Sequence, residues 1–317
     1  WPKLSPVQWL FLKRGWAGGV ILYDQDVKSP GQVRDFVKSL RALSPTPLWV
    51  AVDQEGGGVR RFCEEQGFAS IPSEQAIGRT GDSRVATRFG EKLGQQLAEA
   101  GVNLDFAPVV DLDQEKPVGI ITGYQRSLGS DPEEVALLAG QIVRAMDRFG
   151  VAAAAKHFPG ESLASQNPHE APALAREPLD RIRSRDLVPY RRLITGGLDA
   201  VMLSHVTYAA IDPDHPASLS PKVIQGLLRG ELGFKGLVIC DDLQMGAIRK
   251  NLTVEEAALQ AVNAGVDLII ATGDTSEALL DGLVAAAREG KISLAQARES
   301  YGRIQTIRAK YLGGGRK

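Results

Sequence analysis

The sequence predicts a parallel α/β fold, specifically a TIM-type (β/α)8 barrel, on three observations. Short apolar runs alternate with longer amphipathic segments along the whole chain. The interiors of those runs are continuously apolar, as strands covered on both faces must be. Finally, Asp53, the Lys156-His157 pair, His205 and Asp241 stand at the C-terminal ends of four different runs. In a barrel those ends converge on one mouth, whereas an open sheet spreads them along an edge.

Taken in order, a helix-like segment over 4–14 comes first. The strand-like runs are 18–23 (GGVILY), 48–53 (LWVAVD), 102–111 (VNLDFAPVVD), 151–157 (VAAAAKH), 199–205 (DAVMLSH), 236–242 (GLVICDD) and 266–272 (VDLIIAT). Helical spacing fills the gaps. Residues 83–100 place Val85, Phe89, Leu93 and Leu97 on one stripe behind an Asp82 cap. Residues 132–149 follow Ser130-Asp131, and 253–264 open with Thr253 and Glu256 in capping-box spacing. Gly101, Gly150 and Gly265 fall where a helix needs a left-handed terminating residue. Seven runs are one short of eight, so a first strand is expected upstream of the residues given.

A formal net charge of −1 argues against a general nucleic-acid or membrane-surface role, because both need a basic face. No run is long enough to span a bilayer. The two cysteines, Cys63 and Cys240, are too few for a disulfide framework or a cysteine-based zinc site and read as reduced thiols. The opening Trp1-Pro2-Lys3-Leu4 lacks the apolar core of a signal peptide. A cytoplasmic location is expected. Neither a linker nor an internal repeat divides 1–317, so one domain and a monomer are expected.

Several residues are suited to chemistry, each with a plainer alternative. Asp241, paired with Asp242 at a strand end, suits nucleophilic attack on an anomeric carbon, or caps the next helix. Asp53 opens a glycine-rich turn with Arg60 and Arg61 that lets a ligand approach the backbone, or is only a tight turn. No Lys-Ser/Thr pattern follows, so it is not a phosphate loop. Lys156 and His157 leave a buried run and need polar partners. His169 lies in a polar loop suited to a mobile acid, or is simply exposed, and His205 ends a strand as a satisfied core histidine would.

Six runs together resemble glycoside hydrolase family 3, in its compact bacterial β-N-acetylhexosaminidase branch. They are AVDQEGGGVRRF (51–62), NLDFAPVVDL (103–112), RSLGSDPEEV (126–135), AKHFPG (155–160), VMLSHVTY (201–208) and GFKGLVICDDLQMGAI (233–248). They stand in the family's order and cover most of the chain. The resemblance implies a catalytic barrel over 1–317 that removes terminal β-linked N-acetylglucosamine from muropeptides or oligosaccharides, with retention. It implies Asp241 as nucleophile and Asp53, Arg61, Arg126, Lys156, His157 and His205 as sugar-binding residues. It also implies His169 as acid/base, no metal or organic cofactor, and a small carbohydrate as the only partner.

One loop departs from the family's pattern, which reads Lys-His-Phe-Pro-Gly-His-Gly and then Asp-Ser-His. Here Glu161-Ser162 follow Gly160, and Asn167-Pro168-His169 stand at the dyad. Asparagine accepts a hydrogen bond but gives no charge to an imidazolium, so His169 loses both pKa support and orientation. General acid–base help is worth about 10²–10⁴-fold. Glu161 and Glu170 are alternative donors. Two other readings follow: a catalytically weakened sugar-binding paralogue, and a β-glucosidase or glycoside phosphorylase of the same family.

Overall fold

A computed structural model describes residues 4–114, 120–273 and 276–313. In chain order its strands are β1 (Gly19–Leu22), β2 (Trp49–Val52), β3 (Leu104–Asp105), β4 (Ala152–Phe158), β5 (Ala173–Ala175), β6 (Ala200–Leu203), β7 (Val206–Tyr208) and β8 (Leu237–Cys240). Six of them form one parallel sheet in the order β1-β2-β3-β4-β6-β8, and β5 pairs with β7 in a small second sheet. Helices occupy the crossovers, among them Pro30–Leu43, Ser83–Ala100, Pro132–Arg148 and Leu187–Thr195. The sheet curls, giving a single α/β domain of the TIM-barrel type.

Strand alternation divides the apolar residues into two cores. Trp49, Ala51, Leu104, Ala154, Met202 and Ile239 face inward together. Their sequence neighbours Val50, Val52, Ala153, Val201 and Val238 face the helices instead. On that outer side Leu93 and Leu97 are fully buried, each worth about 1.5–3 kcal/mol. The expected stripe and caps form. Asp82 accepts from the Arg84 amide at 2.8 Å, the Thr253–Glu256 capping box is complete, and Gly101 and Gly265 end their helices at positive φ.

The C-terminal helix Leu294–Tyr311 supports the opposite end from the site. Its Ile304, Ile307 and Tyr311 join the inner core. Tyr311 donates to Asp199, which precedes β6, and Arg303 reaches the buried Asp267 at 2.9 Å beside Arg229 at 2.7 Å. The strand starts are thereby tied down, and the strand ends are left to carry polar groups.

Three runs differ from expectation. In 102–111 only Leu104–Asp105 is regular, because Pro108 brings no N–H to the ladder. The chain then rejoins β4 through Val109 and Lys156. Run 266–272 lies parallel beside β8 through the Leu268–Ile239 bridge, with Cys240 donating to Leu268 and Leu243 to Ile270, but it forms no regular strand, and the Asp267 carboxylate takes the Val238 amide at 2.9 Å. Run 199–205 ends at Leu203, and the chain turns to β7, which pairs elsewhere. Both cysteines are free thiols. Among the described residues no helix is long and apolar enough to cross a membrane.

Candidate active site

The polar residues at the strand ends meet as expected, around an acid the sequence did not single out. Beyond Asp53, Gly56 and Gly57 turn the chain with φ of 87° and 56°. A Cβ on Gly56 would lie 2.1 Å from the Pro72 carbonyl, so the turn admits no side chain. The buried Gln54 pins the far side of this turn by accepting from the Arg61 and Phe62 amides at 2.8 and 3.0 Å. The turn delivers Glu55 inward, where it is 1% exposed.

Glu55 organises two cations. Arg126 holds it through Nε–Oε2 at 2.8 Å and Nη2–Oε1 at 2.9 Å, and Lys156 Nζ reaches Oε1 at 2.7 Å. Lys156 also donates to Asp53 Oδ1 at 2.8 Å, and Arg61 lies 3.5 Å from Asp53 Oδ2. Burial alone would push Glu55 up, but Arg126 and Lys156 outweigh it and hold the carboxyl at about 2. The same ion pairs overcome burial at Lys156 and Arg126 and raise both. Buried charge is tolerated here only because it is paired and hydrogen-bonded.

A second buried chain adjoins it. His157 donates from Nδ1 to Asp111 Oδ2 at 2.7 Å, which leaves Nε2 as acceptor, 3.3 Å from Arg126 Nη2. Asp111 also accepts the His157 and Glu161 amides at 3.1 and 2.6 Å, so one carboxylate fixes the turn after β4. Burial would lower the His157 pKa, but Glu161 and Asp111 raise it above its ordinary value. Glu161 is itself buried, and its Oε2 accepts from Ser204 at 3.0 Å.

Asp241 follows β8 and is half-buried at the same mouth. Burial would push its carboxyl up. The imidazoles of His205 and His157, the Asp242 amide (2.8 Å to Oδ1) and His169 outweigh that and hold it below the ordinary value. Its neighbour Asp242 turns aside and accepts from Thr272 Oγ1 at 2.6 Å. His205 donates from Nε2 to the Asp242 carbonyl at 3.0 Å and accepts from Ser218 at 2.6 Å, so it positions the backbone beside Asp241. Tyr23 faces the mouth as well. Burial, with Asp242, Asp53 and Asp241 adding to it, raises its hydroxyl and keeps it neutral.

The loop bearing His169 is built differently. Asn167 accepts the His169 amide at 3.0 Å and donates to Glu170 at 3.0 Å, so its side chain serves the loop itself. The His169 ring is exposed and makes no hydrogen bond among the described residues. Gly246 holds the loop down by donating to the His169 carbonyl at 2.9 Å, and a Cβ there would lie 2.3 Å from the Glu170 carbonyl.

The structure therefore brings Asp53, Arg61, Arg126, Lys156, His157, His205 and Asp241 together and leaves His169 on the rim. Sequence reasoning assigned no role to Glu55, Asp111 and Tyr23. Glu55 had one signal, an acid two residues after Asp53 in a glycine-rich turn. His157, Glu161 and Asp241 each place one potential ligand atom within 4.8 Å of the other two.

Known proteins share this arrangement's sequence and fold. Residues 7–307 match the model of the glycosyl hydrolase family 3 N-terminal domain. A β-hexosaminidase of Pseudomonas aeruginosa is 39% identical over 267 residues, covering 83% of this chain and 77% of the relative. One from Nitrosomonas eutropha is 37% identical, covering 82% and 75%. A solved family 3 β-N-acetylglucosaminidase from Paenibacillus sp. superposes with a TM-score of 0.93 at 35% identity, covering 99% of this chain. This chain spans only 60% of that protein's length. On the extent of the family match and the identity to these relatives, the chain belongs to glycosyl hydrolase family 3.

Proposed function

We propose that the chain is a retaining β-N-acetylglucosaminidase acting on cell-wall muropeptides or related oligosaccharides in the cytoplasm. The observation that carries this reading is Asp241, a half-buried carboxylate held ionised at the mouth of a preformed polar floor. Asp241 attacks the anomeric carbon as the glycosidic C–O bond breaks and a proton passes to the leaving oxygen. Water then cleaves the glycosyl ester with retention. Asp53 accepts from ring hydroxyls, while Arg126, Lys156 and His157 donate to or orient the sugar. His169 is the proton donor, carried on a loop that gives its ring no carboxylate.

Names of the relatives support the sugar class, and the floor's donors support an uncharged, hydroxyl-rich ligand. The test is trapping with a fluorinated N-acetylglucosaminyl fluoride, followed by mass mapping of the labelled peptide. A label on Asp241 is expected, with Asp241→Ala lowering turnover by more than about 10³-fold. Full activity in Asp241→Ala would refute the mechanism.

The Asn167 substitution favours a second reading, a sugar-binding protein with little turnover. An aryl N-acetylglucosaminide with a good leaving group separates the two, because its departure needs little acid help. Tight N-acetylglucosamine binding without turnover of that substrate supports binding alone. A rate on the glucoside exceeding that on the N-acetylglucosaminide, or dependence on phosphate, points instead to a glucosidase or phosphorylase.

A further inference from the structure

We propose that a cavity beside the loop bearing His169 is the seat for the peptide of a muropeptide aglycone, so that this chain selects peptide-bearing substrates. The proposal rests on the hydrolase reading above and extends it from the sugar that is cut to the group that leaves.

The cavity, of about 260 Å³, opens between the end of the 167–172 loop, the segment after β7 and the helices Gly246–Arg249 and Val254–Ala264. The buried His205 forms part of its wall, and the same ring donates from Nε2 to the Asp242 carbonyl next to the nucleophile. One imidazole therefore separates the cavity from the backbone of the reacting centre. Pro172, three residues beyond His169, also lines it, as does Ala247, whose amide donates to the Pro168 carbonyl at 2.9 Å. The proton donor of a retaining enzyme faces the leaving oxygen, so a cavity beside the donor's loop lies on the aglycone's side. A muropeptide carries its peptide on the sugar that leaves.

Size and lining select the occupant. Pockets that enclose a whole ligand run to about 300–1,000 Å³, so this one takes the end of a larger molecule rather than a separate one. The carboxamides of Asn251 and Gln260 and the carboxylate of Asp214 make no hydrogen bond among the described residues. A carboxamide offers a donor and an acceptor, which is what a peptide amide returns, and Asp214 accepts from an N–H or ammonium group. Pro216, Ile248 and Leu252 supply apolar walls for small side chains. Among the described residues no Lys or Arg lines the cavity to take a phosphate, and no Trp, Tyr or Phe lines it to stack on a sugar face. His215 is turned to the buried Asp212, 3.3 Å away.

The test compares two substrates that differ only in the peptide: the N-acetylglucosaminyl-N-acetylmuramic acid disaccharide with and without its stem peptide. The peptide should raise kcat/KM at least about tenfold, chiefly through KM. Asn251→Ala combined with Gln260→Ala should erase that preference and leave turnover of an aryl N-acetylglucosaminide, which has no peptide, unchanged. The unchanged turnover also shows that the double variant is folded. Calorimetry of both disaccharides into Asp241→Ala protein, checked for folding by circular dichroism, reads the same preference without turnover. Equal kcat/KM and equal affinity for the two disaccharides overturn the proposal, and so does a preference that survives the double variant. Acceleration of the aryl glycoside by free peptide would make the cavity an effector site and overturn it as well. Turnover without preference counts against the cavity alone, whereas tighter binding of the peptide-bearing disaccharide by a parent that turns over neither counts against the hydrolase reading alone.

Discussion

The floor of the site and the loop above it are built on opposite principles. On the floor, Asp53, Glu55, Asp111, Arg126, Lys156 and His157 interlock, and all but Asp53 are nearly solvent-free. In the loop, Asn167, His169 and Glu170 bond to one another, and the Gly246 and Ala247 amides donate to the His169 and Pro168 carbonyls. The floor is preorganised, so a sugar that binds it needs little rearrangement. The loop leaves its key ring free. Binding and proton donation are thus separable properties, and substitutions on each side should affect one and spare the other.

The largest effect is expected at the centre of the floor. Glu55→Gln leaves Arg126 and Lys156 buried with too little counter-charge, which should cost about 3–5 kcal/mol of stability by urea denaturation. The pH dependence provides a check. Glu55 is held at about 2 in the folded chain, below the unfolded value, so its contribution is present above that value and fades as pH falls toward 2. The variant and the parent should converge in acid. A gap that persists at pH 2.5 would mean that packing, not charge, is what Glu55 supplies.

The next effect lies where floor and loop join. Asp186 packs behind Gly160, and its buried oxygens meet no other residue's donor among the described residues. Burial pushes its pKa up to about 7, Asp111 adds to this, and Arg185 opposes it. A raised acid stabilises the fold at low pH, and that stability drains as pH climbs from the unfolded value through about 7. That rise corresponds to roughly 4 kcal/mol lost by pH 8.5. Asp186→Asn should therefore melt higher than the parent at pH 8.5, with a smaller gain at pH 5. Equal gains at both pH values would show that Asp186 does not titrate as described.

Legibility followed the same division. The fold was readable because strand interiors, helix stripes and caps are local patterns, as Leu93, Leu97 and the Thr253–Glu256 box show. The floor was readable only through resemblance, since Lys156 and Asp53 are 103 residues apart and no local rule pairs them. Glu55 and Asp111 stayed hidden because their roles depend on partners brought by other strands. The seventh run takes its expected place beside β8 but is not a regular strand, and Asp267, not the ladder, satisfies the Val238 amide. Asn167 was legible as a departure, but the structure was needed to see that it bonds to Glu170 and the loop backbone.

The smallest expected effect is the one that sharpens the comparison most. Asn167→Asp restores a carboxylate two residues before His169 without touching the floor. Its oxygen already accepts the His169 amide at 3.0 Å, so the new charge would arrive close to the ring. A nearby carboxylate raises an imidazole's pKa and favours the imidazolium that donates the proton. The bond from the asparagine amide to Glu170 would be replaced by repulsion between two carboxylates, which frees the loop to reorient. On a poor leaving group, kcat should rise by about 10–10²-fold, within the range of acid–base assistance. On an activated aryl glycoside it should change little, and KM should hold steady on both because the floor is unaltered. The basic limb of the pH–rate profile should move upward with the histidine's pKa. An equal gain on both substrates would locate the effect in binding or folding, and no gain on either would mean that His169 is not the donor.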